Sequence, residues 1–219
     1  MNEAVIVAGA RTPVGRAKKG MLRNVRPDDL GAAVIKETLK RAGDYDGPVD
    51  DLIIGCAMPE AEQGLNIARN IGALAGLSYT VPAITINRYC SSGLQAIAYG
   101  AEKIMLGGAD VILAGGVESM SMVPMMGHTV RPNATLAEKK PEYYMAMGHT
   151  AEKVAERYGI TREEQDQFAV RSHQKAAKAI RERKFNDEIV PIDVSIRSVD
   201  ENHALVEQQI RFDTDEGVR

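Results

Sequence analysis

The side chains able to do chemistry in this sequence are few: two cysteines, Cys56 and Cys90, and four histidines, His128, His149, His173 and His203. Cys90 lies in Val81-Pro82-Ala83-Ile84-Thr85-Ile86-Asn87-Arg88-Tyr89-Cys90-Ser91-Ser92-Gly93-Leu94-Gln95. The apolar strand pattern stops at Ile86. Leu94, Ile97, Ala98, Ala101, Ile104 and Met105 then recur at one-face helical spacing until Gly107-Gly108. Cys90 is therefore predicted at or just before a helix amino terminus, where unpaired N–H groups and the positive dipole end favour a thiolate. The same N–H groups are placed to stabilise an oxyanion on an attacked carbonyl. Two readings stay open on these residues alone: a nucleophile, or a small residue in a tight corner beside the helix-capping Ser91 and Ser92.

Cys56 follows an apolar strand with no helix start behind it and reads as structural. Spacing brings no histidine to Cys90. His173 falls on a polar helix and is expected to be solvated, whereas His128 and His149 sit in a methionine-rich region where they could line a pocket. Gly9-Ala10-Arg11-Thr12-Pro13-Val14-Gly15 lacks both the phosphate-loop ending and the dinucleotide spacing, and reads as a turn. Gly115-Gly116-Val117-Glu118-Ser119-Met120 reads as a turn with a structural carboxylate.

The elements that position these residues alternate strand and helix up to about Ser119, the pattern of a parallel sheet covered by helices. Ala4–Ala8, Leu52–Ile54, Val81–Ile86 and Val111–Ala114 are the expected strands. A helix carrying Leu30, Ala33, Val34 and Ile35 is expected to be capped by Asp28 or Asp29 and to stop at Gly43, and a second helix to run over Ile67–Ala75. Met120, Met122, Met125, Met126, Met145 and Met147, with Pro124, Pro132 and Pro141, mark an irregular inserted region. Within it, Thr161-Arg162-Glu163-Glu164 is a capping box opening a long polar helix to about Lys184. A short strand over Ile189–Val194 and a polar tail complete the reading.

Composition excludes several classes of function. The net charge of -3 comes from 27 basic and 30 acidic residues mixed along the chain, so no basic stripe points to a nucleic acid. Two cysteines make neither a disulfide framework nor a metal-ligand spacing, which fits a reducing compartment. The apolar runs are too short to span a bilayer, and the start at Met1 shows no leader, so a cytoplasmic location is expected.

Taken together, six ordered segments resemble the thiolase family. They are the run from Val5 to Gly15, Asn66-Ile67-Ala68-Arg69, Asn87 to Ala96, Gly115 to Ser121, Met147-Gly148-His149-Thr150-Ala151-Glu152, and Asp215-Glu216-Gly217-Val218-Arg219. The resemblance implies an α/β class, a thiolase-like layered α/β/α/β/α fold built from two similar halves. Of these, residues 1–119 would be the amino-terminal half and 120–219 an incomplete loop domain, with the carboxy-terminal half absent. It makes Cys90 the acyl-accepting nucleophile of a coenzyme A-dependent acyltransferase, Met147 a pocket residue near the pantetheine arm, and Arg219 a contact near the coenzyme's nucleotide end. Coenzyme A and acyl-CoA are then substrates, with no separate cofactor and no metal, and a homodimer or homotetramer is expected.

The family's activating histidine, second cysteine and water-holding Asn-Glu-Ala segment have no counterpart here, so this stretch alone would be inactive. Acetoacetyl-type members carry a histidine where Ala146 stands, which leans toward a degradative 3-ketoacyl-CoA thiolase of fatty-acid metabolism. Acetyl-CoA acetyltransferase, a non-catalytic acyl-CoA-binding module and the related ketoacyl synthases are the competing readings.

Overall fold

The computed structural model describes residues 2–199, 201 and 203–218. The chain divides into two compact units, Met1–Gly127 with Phe185–Gly217, and His128–Lys184 with the last residues. In the first unit, helix α1 (Pro27–Arg41), strand β1 (Asp51–Gly55), helix α2 (Ile67–Ala75), strand β2 (Ala83–Ile86), helix α3 (Ser92–Met105) and strand β3 (Ile112–Gly116) follow in order. The strands form a parallel sheet in the order β2-β1-β3, with Ile53 opposite Ile84 on one side and Ala114 on the other.

Leu52, Ile53 and Ile54 of the central strand form an unbroken apolar run because both of its faces are covered. Leu52 and Ile54 join Ile35 of α1 and Ile67 and Ile71 of α2 in a buried cluster. On the opposite face, Gly100 of α3 comes down on Ile112 and Ala114, and Lys103 reaches Asp51 at 2.8 Å. Three layers result, and each strand-to-helix turn opens at the same end of the sheet.

Ala4–Ala8, expected as the first strand, forms no ladder. Val5, Ile6 and Val7 are 68, 84 and 77% exposed. A β-branched run prefers a pleated surface, but a strand exists only where neighbouring N–H and C=O groups meet it in register. The segment pairs with neither outer strand of the sheet, β2 or β3; just before it, the Asn2 N–H bonds the Met105 carbonyl at 3.2 Å instead. The capping of α1 also differs from expectation. Pro27 occupies the first helical position, where its fixed φ suits the helix, while the Asp28 carboxylate accepts two bonds from the Arg26 guanidinium at 2.9 and 2.8 Å. Neither aspartate is the N-cap, although Gly43 does close the helix, at φ 84°.

The expected short strand and polar tail are instead an antiparallel hairpin, β4 (Ile192–Val199) with β5 (Leu205–Phe212), registered from Ile192 opposite Phe212 to Val199 opposite Leu205. Ile192, Val194 and Phe212 face inward against Leu22 and Leu30. In β5 the polar run Glu207-Gln208-Gln209 interrupts the alternation that β4 shows.

After β5, the chain clasps its own beginning. Arg11 forks onto Asp215 at 2.7 and 2.9 Å and reaches Glu188 at 2.7 Å, while Asp215 also accepts the Val14 N–H at 2.8 Å. Burial alone would raise the Asp215 pKa, but the Arg11 hydrogen bonds, the Val14 N–H and the Arg11 charge outweigh it and hold the carboxyl below its ordinary range. Stability from this carboxylate is therefore fully present above the unfolded value of about 3.9 and is lost as pH falls through the depressed folded value. Asp215→Asn is expected to cost roughly 1–2 kcal/mol at neutral pH. In urea unfolding of the full-length protein, the gap between variant and wild type should shrink below about pH 4. A gap unchanged at pH 3 would count against the assignment.

The second unit holds α4 (Ala134–Lys139), α5 (Met147–Tyr158) and α6 (Arg162–Arg181). The capping box forms as read: Thr161 N–H donates to Glu164 at 2.8 Å, and the Glu164 N–H donates to the Thr161 hydroxyl at 3.2 Å. His173 is half-buried, not solvated as expected, because it lies on the more covered side of α6. None of the described residues in this unit is fully buried.

Candidate functional site

Five residues, 87–91, separate the end of β2 from the start of α3, and Cys90 stands one residue before the N-cap Ser91. Its side chain is exposed. So short a connection needs a sharp turn, and Tyr89 supplies it at φ 47°, in the left-handed region that a residue with a Cβ rarely adopts. Surrounding hydrogen bonds hold the strained turn. The Tyr89 N–H donates to Asn87 Oδ1 at 2.8 Å, and Asn87 Nδ2 donates to the Ala57 carbonyl at 3.0 Å. Ser92 Oγ accepts the Arg88 N–H at 2.8 Å and donates to the Tyr89 carbonyl at 2.6 Å.

The two serines thus do something other than cap the helix. Ser91 Oγ donates to the Arg88 carbonyl at 2.9 Å, and the N-cap makes no side-chain bond to the first turn. Both hydroxyls are spent on the turn, and the Ser92 N–H is bonded to the Tyr89 carbonyl at 3.0 Å, so it is the later first-turn donors and the positive end of α3 that Cys90 precedes. A thiol so placed can attack a carbonyl whose developing oxyanion meets those donors.

Three glycines let the strand ends close on this helix start. A Cβ on Gly55 would lie 2.2 Å from the Ser92 carbonyl carbon, and one on Gly116 would lie 3.0 Å from the Gly93 Cα. Beneath them runs a polar network. Glu118 accepts the Ala57 N–H and Gln63 Nε2, each at 2.6 Å, and Gln63 donates also to the Met58 carbonyl at 2.8 Å. Gln63 is wholly buried, and every one of these groups is paired, as burial requires. Glu118 is thus the structural carboxylate expected from its motif. Sequence reasoning missed Asn87 and Gly55 as parts of this frame; the signals available were an Asx residue just ahead of a predicted turn and a glycine closing an apolar strand.

Cys56 is buried, and burial first, the Glu118 charge second, push its thiol up to about 11. It is inert at neutral pH, as a structural cysteine should be. Met147 is the first residue of α5, in the second unit, and is 67% exposed, so it does not fill a core. His149 is exposed on the same helix and His128 is exposed at the start of that unit. His203 belongs to the first unit, in the turn between β4 and β5. Arg219 lies outside the described residues. Among the described residues no three His, Cys, Asp or Glu side chains group to hold a metal, and no helix is long and apolar enough to cross a membrane.

A family model described as "Thiolase, N-terminal domain" matches residues 4–219. Over all 219 residues the chain is 72% identical to a 3-ketoacyl-CoA thiolase of Bacillus subtilis (strain 168), covering 56% of that protein. It is 45% identical over 207 residues, 94% of its length, to a 3-ketoacyl-CoA thiolase of Marinomonas sp. (strain MWYL1), covering 52% of it. The crystal structure of the Bacillus anthracis acetyl-CoA acetyltransferase superposes on the entire chain with a TM-score of 0.83 at 39% identity, across 56% of its own length. The chain spans about half the length of the relatives it matches.

Proposed function

The chain belongs to the thiolase family, and on that premise we propose that it is the amino-terminal portion of a 3-ketoacyl-CoA thiolase working through an acyl-thioester on Cys90. The observation that carries this reading is an exposed cysteine on a strained strand-to-helix turn, directly ahead of the amino terminus of α3. In the proposed reaction, Cys90 Sγ attacks the keto carbon of a 3-ketoacyl-CoA. The bond between that carbon and its α-carbon breaks, the acyl group stays on sulfur, and the departing carbanion takes a proton to become acetyl-CoA. The thiol of a fresh coenzyme A then attacks the thioester, giving a shortened acyl-CoA and regenerating Cys90. The base and the acid for these proton transfers belong, by the family's pattern, to the carboxy-terminal half.

The names of the relatives support the degradative reading, as does Ala146 ahead of Met147. The structural neighbour's name supports acetyl-CoA acetyltransferase activity as the second reading. On the same proposal residues 1–119 serve as the acyl-accepting half and 120–219 as the loop domain, with Met147 beside the pantetheine arm and Arg219 near the nucleotide. Coenzyme A enters as substrate, with no separate cofactor. A homodimer or homotetramer fits the apolar surface exposed at Leu94 and Ile97 of α3 and at Leu106 just beyond it, and a cytoplasmic location belongs to the same proposal.

The full-length protein, mixed with a 3-ketoacyl-CoA in the absence of free coenzyme A and quenched in acid, should gain one acyl mass on the peptide containing Cys90. Adding coenzyme A should remove it. No adduct, or one on another residue, overturns the reading; comparison of four-carbon with longer ketoacyl substrates separates the two thiolase types.

A further inference from the structure

We infer that Asn87 is a positioning residue, through which the buried Gln63 and Glu118 assembly fixes the Cys90 turn in its reactive geometry. This rests on Cys90 being the nucleophile. The Asn87 side chain is bonded to both sides of the junction: its Oδ1 takes the N–H of the strained Tyr89, and its Nδ2 donates to the Ala57 carbonyl. The Ala57 peptide is gripped from its other end, since its N–H donates to Glu118 at 2.6 Å, and Glu118 is fixed by the fully buried Gln63. A continuous line of bonds therefore runs from the end of β3, across the loop after β1, to the residue preceding Cys90. Tyr89 alone prefers a negative φ. Without the Asn87 bonds the turn relaxes toward that preference, and the sulfur swings away from the helix donors.

A displacement of about 1 Å at a reacting atom is enough to cost roughly a hundredfold in rate. Asn87→Ala in the full-length protein is thus expected to lower kcat on the order of 100-fold, with KM for the ketoacyl-CoA changed less than about threefold. Alkylation of Cys90 by iodoacetamide should slow in parallel, while Cys56 stays unlabelled and the melting temperature moves by only a few degrees. Asn87→Asp keeps the acceptor for Tyr89 but loses the donor to Ala57, and should fall between wild type and alanine. A wild-type kcat in Asn87→Ala overturns the proposal. So does a loss matched by unfolding, seen as fast labelling of Cys56. The alkylation ratio requires no acyl transfer, so a wild type that forms no acyl-enzyme defeats the thiolase reading alone, whereas equal alkylation of Cys90 in both proteins defeats the positioning role alone.

Discussion

Cys90→Ser, made in the full-length protein, is expected to reduce thiolysis of a 3-ketoacyl-CoA by about 10⁴-fold or more, because the reaction loses its nucleophile. The substitution exchanges one atom on an exposed side chain, so folding stability should stay within about 0.5 kcal/mol of wild type. The rate loss then has a chemical origin. A serine hydroxyl is a far weaker acid than a thiol and stays protonated at neutral pH, so it is the poorer nucleophile. Residual turnover should not pass to Cys56, whose thiol is buried and pushed up to about 11. Measured side by side, coenzyme A consumption and chemical denaturation decide the matter. A stable serine variant with more than a tenth of wild-type activity would place the acyl group somewhere other than residue 90.

The placement of Cys90 was legible in the sequence because it depends on local pattern. A strand period ends at Ile86, a helical period begins by Leu94, and the short interval leaves few places for a turn. The same holds for α2, whose range matches its apolar spacing, and for α6, whose capping box is a four-residue signal. What stayed hidden depends on partners far along the chain. The Arg11 guanidinium meets Asp215 across 204 positions, tying together the first and last of the segments by which the family is recognised, and neither segment alone hints at the other. Ala4–Ala8 carried a clear strand signal yet pairs with no neighbour, whereas β5 carried a faint one and formed because its Phe212 joins Ile192, Leu22 and Leu30 in one cluster. The strain at Tyr89 was equally unreadable, since nothing in a tyrosine announces a positive φ. That strain exists because hydrogen bonds from Asn87 and Ser92 over-determine the turn.

Gly55→Ala should be strongly damaging to the first unit. Its Cβ would fall 2.2 Å from the Ser92 carbonyl carbon and 2.5 Å from the Gly93 nitrogen, and both are backbone atoms that no rotamer change can move. Either β1 retreats from the helix or α3 is pushed outward, and both motions drag the turn that holds Cys90. Overpacking of this kind typically costs about 1–3 kcal/mol, and a backbone obstacle on the far side puts the expected value near the top, about 3 kcal/mol. For a chain of this size that is a fall of roughly 6–12 °C in melting temperature. Activity should suffer more than the folded fraction does, because the helix donors move with the helix. Gly115→Ala is the matched comparison: it lies at the end of β3 opposite Ile54, and a Cβ there meets nothing within 4 Å. If the two variants lose stability equally, loss of glycine's flexibility and not the close approach is the cause; if only Gly55→Ala does, the contact between the strand end and the helix start is what sets the reactive turn.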